Sequence, residues 1–145
     1  MFQLVYSSKA SGTFTASGDN EIENIVNASI SNNQKLGITG VLLFQGTEFV
    51  QILEGKKDDV LALYGKICND ERHSAAKILM SREVPNRTFP FWNMAFLNAD
   101  DIMSKDRNFN DIWKIITSHE RSKDEKSAQA TINLILKLKD DYFHQ

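Results

Sequence analysis

The stretch "GITGVLLFQGTEFVQILEG", residues 37–55, constrains the fold of this chain more than any other. Two runs rich in β-formers flank the turn "QGT", which reads as an antiparallel hairpin with Gly46 in its turn. The first run is apolar on both faces: Val41 and Leu43 fall on one side, Leu42 and Phe44 on the other. A sheet built on such strands must be covered twice, because a continuous apolar surface is not left in water. Gln51 breaks the pattern, sharing a strand face with Phe49 and Leu53. A buried amide without partners costs about 1–3 kcal/mol, so its two donors and its acceptor must be engaged.

The flanking sequence supplies the covers. "FQLVYSS" alternates as a first strand over residues 2–7, with Phe2, Leu4 and Tyr6 on one face and Gln3 and Val5 on the other. After the small-residue loop "KASGTFTASGD", Ser17 or Asp19 can cap a helix running through "NEIENIVNASISNNQ". Its apolar face is marked by Ile22, Ile25, Val26 and Ile30, with Ser29 and Asn33 on or beside it. "KKDDVLALYGKICNDERH" predicts a second helix with Val60, Leu63, Tyr64, Ile67 and Cys68 as its stripe. "KILMSRE" predicts a fourth strand and "VPNRTFP" a connection. In a fifth strand, "FWNMAFL", Trp92, Met94 and Phe96 point to one side.

The order β-α-β-β-α-β with one added strand is an α+β, ferredoxin-like arrangement with two helices on one sheet face. "NFNDIWKIITSHE" and "SAQATINLILKLKDDYF" read as amphipathic helices joined by "RSKDEKS". They either fold back under the second face or leave it as an oligomer interface. The division expected is a domain over 1–98 and a helical extension over 99–145.

Composition excludes several classes. A formal charge of −2 gives no basic footprint for nucleic acid. No run approaches the ~18 apolar residues needed to span a bilayer. "MFQLVYSS" carries no positively charged leader, and Cys68 stands alone, which suits a reducing cytoplasm. His73, His119 and His144 are scattered, so no metal site is expected.

In this topology the first and third strands lie side by side, which makes Tyr6 and Gln51 neighbours on one face. Asn32 and Asn33 end the helix that packs there. The set is rich in hydrogen-bond donors and acceptors but holds no nucleophile, carboxylate pair or histidine base. It suits a planar heteroaromatic ligand with carbonyl and ring-nitrogen edges. Each residue also has an ordinary reading: Tyr6 as a core tyrosine, Asn32 and Asn33 as a helix C-cap, Gln51 bonded to backbone at a bulge, Trp92 and Met94 as core.

"LVYSS", "SNNQKLGITGVLLF", "FVQILEG", "NDERH" and "FWNMAF" occur in the order and spacing of a BLUF domain, so residues 2–97 resemble that family of blue-light sensors. The resemblance implies a non-covalent flavin, FAD with FMN as the alternative, held between the two helices. It implies that Tyr6 is the redox-active tyrosine and that Gln51 bridges it to the flavin N5/C4-carbonyl edge. Asn33 then contacts the carbonyl side with Asn32 beside it, and Ser29 supplies a small hydroxyl near the glutamine. Ile25 and Ile67 form apolar walls, Arg72 lies near the ring and its ribityl-phosphate tail, and Trp92 and Met94 are the pair that exchanges near the glutamine. Asn93 departs from the serine that many members carry.

The function this implies is a photoreceptor, not an enzyme, signalling through its last strand and C-terminal helices to a separate effector protein. Homo-oligomerisation is expected, and neither nucleic acid nor membrane is. Two rival readings are a flavin-free interaction module and an acylphosphatase-like enzyme. The enzyme wants an arginine in the first loop, where this chain offers Lys9.

Overall fold

The computed structural model describes residues 1–10, 31, 33–70, 73–90, 92–117 and 124–143. The elements in chain order are β1 (Phe2–Ala10), β2 (Thr39–Gln45), β3 (Glu48–Gly55), α1 (Lys57–Cys68), β4 (His73–Glu83), β5 (Ala95–Asn98), α2 (Ala99–Lys105), α3 (Phe109–Ile116) and α4 (Asp124–Phe143). Most of the first expected helix lies outside the described residues, though residues 33–36 are helical.

The strands form one mixed sheet in the order β4-β1-β3-β2-β5. β1 is antiparallel to both β3 and β4, β2 and β3 form the expected hairpin, and β5 runs parallel to β2. At Gly40 an added Cβ would stand 1.9 Å from the Ile52 carbonyl oxygen, so only glycine lets β2 lie this close to β3.

Alternation sorts the strands into two cores. On one face Phe2, Leu4, Tyr6, Leu42, Phe49 and Leu53 pack with Val60 of α1, and Leu63, Tyr64 and Ile67 lie against them. On the other, Val5, Val41, Leu43, Val50 and Ile52 pack with Trp113, Ile116, Ile132 and Ile135. At roughly 1.5–3 kcal/mol for each buried large aliphatic, this second cluster is a major source of stability. α3 and α4 therefore cover the second face, and the surface that suggested an oligomer interface is occupied by the chain itself.

Three expectations need correction. β5 begins only at Ala95, so Trp92 and Met94 lie in a bent lead-in where strand alternation does not apply. As a result they part company: Trp92 stacks on Phe89 at 5.6 Å within the helix-covered core, while Met94 joins the α1 face. Cys68 is exposed rather than packed, because burial declines along α1 from Val60 to its last residue. The helix α2 was not foreseen, although its signals are present: the Asn98 side chain accepts from Asp100 N, and Asp100 and Asp101 occupy the first turn.

Candidate functional site

Tyr6 and Gln51 are direct cross-strand partners between β1 and β3, both side chains turned toward the α1 face. In the non-polar surroundings of Leu4, Leu42 and Leu53, two polar side chains at this position must satisfy each other. The Tyr6 hydroxyl donates to Gln51 Oε1, and Gln51 Nε2 donates to Met94 Sδ at 3.1 Å. The β1–β3 and β2–β3 registers run past Gln51 with no bulge, so backbone bonding at a bulge is not its role. One N–H of its amide serves Met94, which leaves its second N–H for a further acceptor.

Tyr6 also meets Tyr64 of α1 edge to face, ring centroids 5.2 Å apart. Burial pushes the Tyr6 phenol well above the usual range, and the neighbouring Tyr64, Cys68 and Asp70 add to the shift when negative. Tyr6 is therefore a neutral donor at any ordinary pH. Burial also raises Tyr64, to about 12, with its hydrogen bond to Cys68 as the next cause.

Asn33 stands at the same face, 1% exposed. Its Nδ2 donates to the Asn93 carbonyl at 2.8 Å, and its Oδ1 is buried with no donor among the described residues. The left-handed position that ends this helix is taken by Gly37, with φ 67°, so Asn33 is not the C-cap. An unmatched buried acceptor costs about 1–3 kcal/mol, a cost that an N–H donor brought by a ligand would remove. Together the groups offer an N–H toward an acceptor and a carbonyl toward a donor, which fits a planar ring carrying carbonyls beside an imide N–H.

Of the sequence-predicted residues, Tyr6, Gln51, Asn33 and Met94 are brought together. Ile67 lies half-buried against the same cluster, and Trp92 is on the opposite face. Ile25, Ser29, Asn32 and Arg72 lie outside the described residues. The sequence reading passed over Glu54, which is fully buried and accepts from Gln3 Nε2 at 3.0 Å, Thr88 N at 2.8 Å and Phe89 N at 2.7 Å. Its signal was available: in "FVQILEG" it falls on the same strand face as Val50 and Ile52, where a carboxylate is out of place.

Comparison with known proteins gives this geometry a context. The chain is 38% identical over 69 residues to the blue light- and temperature-regulated antirepressor BluF of Escherichia coli (strain K12), 48% of this chain and 17% of that protein. It is 27% identical over 94 residues to the alpha subunit of the photoactivated adenylate cyclase of Euglena gracilis, 58% of this chain and 9% of that protein. The chain thus spans less than a fifth of the length of either relative. Among solved structures, the dark state of BlrB, a BLUF protein, superposes with a TM-score of 0.75 at 25% identity, over 93% of this chain and 94% of that one. A bacterial light-regulated adenylyl cyclase matches at 37% identity and a TM-score of 0.65, over 79% of this chain and 35% of that one. Residues 1–95 match the family of sensors of blue light using FAD, whose domains bind flavin. By that match, which covers most of its length, the chain belongs to the BLUF family.

Proposed function

We propose that Tyr6 and Gln51 form the light-operated switch of this sensor, that Asn33 and Met94 complete its ring site, and that the output is read by a separate effector protein. The observation that carries this reading is the continuous chain from the Tyr6 hydroxyl through the Gln51 amide to Met94 Sδ. Ile67 walls the site, and Ile25, Ser29, Asn32 and Arg72 are assigned to it by family resemblance alone. FAD is the flavin expected, with FMN as the alternative.

When bound, the flavin supplies blue-light absorption and, once excited, a strong one-electron oxidant. Tyr6, touching Gln51 and shielded from water, is the donor placed to supply that electron. An oxidised phenol is strongly acidic, so its proton passes to Gln51, whose amide both accepts and donates. When the electron and proton return to Tyr6, the Gln51 amide is left with a different set of partners. With a flavin bound, Gln51 would be the residue whose altered hydrogen bonding to the ring shifts absorption to the red. Two arrangements separated by a few kcal/mol make the amide bistable.

The change leaves through Met94 into β5 and residues 99–145, which we read as the output extension. The chemistry is self-restoring, so the chain acts as a sensor rather than a catalyst. Its place is the cytoplasm, a reading that rests on the unpaired, exposed Cys68. Among the described residues no helix is long and apolar enough to cross a membrane. The test is an absorption spectrum of the purified protein before and after blue light. A flavin spectrum that moves reversibly to the red is the expected result. A protein colourless even after incubation with FAD would overturn it.

A further inference from the structure

The connection from β4 to β5 crosses the end of the sheet on the helix-covered face and then turns through to the α1 face. Its far end touches the switch: Asn93 O accepts from Asn33, and Met94 Sδ accepts from Gln51. From Phe89 onward it enters the core, with Phe89 and Trp92 stacked within 3° of parallel in the cluster that includes Trp113 and Ile132. A rearrangement at Gln51 can move β5 and the helices only if this strap does not simply yield at its near end.

The near end is held by a buried carboxylate. Glu54 Oε1 accepts from Phe89 N, and its Oε2 accepts from both Thr88 N and Gln3 Nε2. Gln3 Nε2 also donates to Thr88 Oγ1, and Gln3 Oε1 accepts from Arg82 Nε at 2.9 Å. Arg87 adds bonds to the Glu54 carbonyl, Thr39 Oγ1 and the Gly37 carbonyl. Both carboxylate oxygens face N–H donors at once, so a carboxylate fits here and an amide does not. One end of an amide would turn N–H toward N–H. Desolvation of a buried carboxylate offsets much of what its hydrogen bonds gain, so the group is weak evidence of stability. It gives instead a fixed point three residues along β3 from Gln51.

We infer that Glu54 is a positioning residue, anchoring residues 88–89 so that the switch at Gln51 drives β5 and the C-terminal helices instead of dissipating in the loop. The inference rests on the proposed role of Gln51, and the experiment separates the two. Wild type and Glu54→Gln are loaded with FAD, and two quantities are followed under blue light: the red shift, and the light-induced change in hydrogen exchange over residues 109–143. The expected result is a red shift of normal size in Glu54→Gln with the exchange change reduced about fivefold, a typical loss for a coupling position. Gln3→Leu, which removes one of the three donors to Glu54, tests the same point if Glu54→Gln does not fold, with a smaller reduction expected. A purely packing role would lower thermal stability and leave the ratio of exchange change to red shift intact. A variant that folds, shifts and transmits as wild type does overturns the anchor and leaves the switch standing. A wild type that shows no red shift overturns the switch and the anchor with it.

Discussion

The two faces of the one sheet are built to different ends. The face under α3 and α4 is closed by large apolar side chains of the chain's own, from Val5 and Ile52 through Trp113 to Ile135. The face under α1 surrounds a phenol and two amides, one of which keeps a buried oxygen without a donor among the described residues. Close-packed apolar surface has one good arrangement, whereas an amide, with donors and an acceptor on one group, can exchange partners. On the reading proposed above, the first face stabilises the sheet and the second leaves Gln51 a choice. Because alternate residues of the same strands serve both, a change at Gln51 is one residue from Val50 and Ile52 of the opposite core.

The largest effect expected on breaking this division is on the helix-covered face. Trp113 is 3% exposed, and Trp113→Ala should destabilise the protein by about 3–5 kcal/mol, read by urea denaturation. The position of the flavin absorption band should stay put, since nothing at the switch has changed. A displaced band would show that the faces are not separable. The next effect is on the other face. Tyr6→Phe leaves Gln51 Oε1 without its donor, which should cost about 1–3 kcal/mol and abolish the red shift while flavin is retained. Gln51→Leu should abolish the shift likewise. A normal shift in either would refute the switch as assigned.

How far the sequence showed this division depended on the kind of signal. Period-two alternation in β1, β2 and β3 marks the faces, and the β1–β3 adjacency of this topology puts Tyr6 beside Gln51, as the register shows. Trp92 is misplaced by alternation because alternation carries information only while the backbone is extended, and "WNM", residues 92–94, is bent beyond the Trp92 carbonyl that accepts from Gly40 N. Glu54 was missed for a different reason. Its odd position on the Val50 and Ile52 face is legible, but two of its three donors are the backbone N–H groups of Thr88 and Phe89, which leave no trace in side-chain patterns. α2, by contrast, is legible in "NADD", where Asn98 caps the helix and two aspartates fill its first turn.

A smaller effect should follow from Met94, where the two regions touch. Met94→Leu keeps the volume and removes the sulfur that Gln51 Nε2 donates to at 3.1 Å. The volume-conserving exchange should cost under about 1.5 kcal/mol, and the red shift should persist because Tyr6 and Gln51 are intact. The light-induced change in hydrogen exchange over β5 should shrink, since its direct contact with the switch is gone. An unchanged exchange response would move the route of the signal to the Asn33–Asn93 contact.

The smallest expected effect is a titration. The Tyr64 phenol is raised from its ordinary 10.0 to about 12 by burial against the α1 face and by its bond to Cys68. A group whose folded-state pKa lies above its unfolded one stabilises the fold fully below the unfolded value and loses that contribution as pH rises through the folded one. Stability should therefore hold up to pH 10 and fall between 10 and about 12, with the more deeply buried Tyr6 acting in the same direction. Tyr64 is only half-buried, so its share is a minor one. Tyr64→Phe should flatten the decline in the urea midpoint across that window without removing it, because Tyr6 remains. If the two proteins lose stability in parallel, Tyr64 is solvated in the folded state, and the shielding that keeps water from the Tyr6 ring must come from elsewhere on that face.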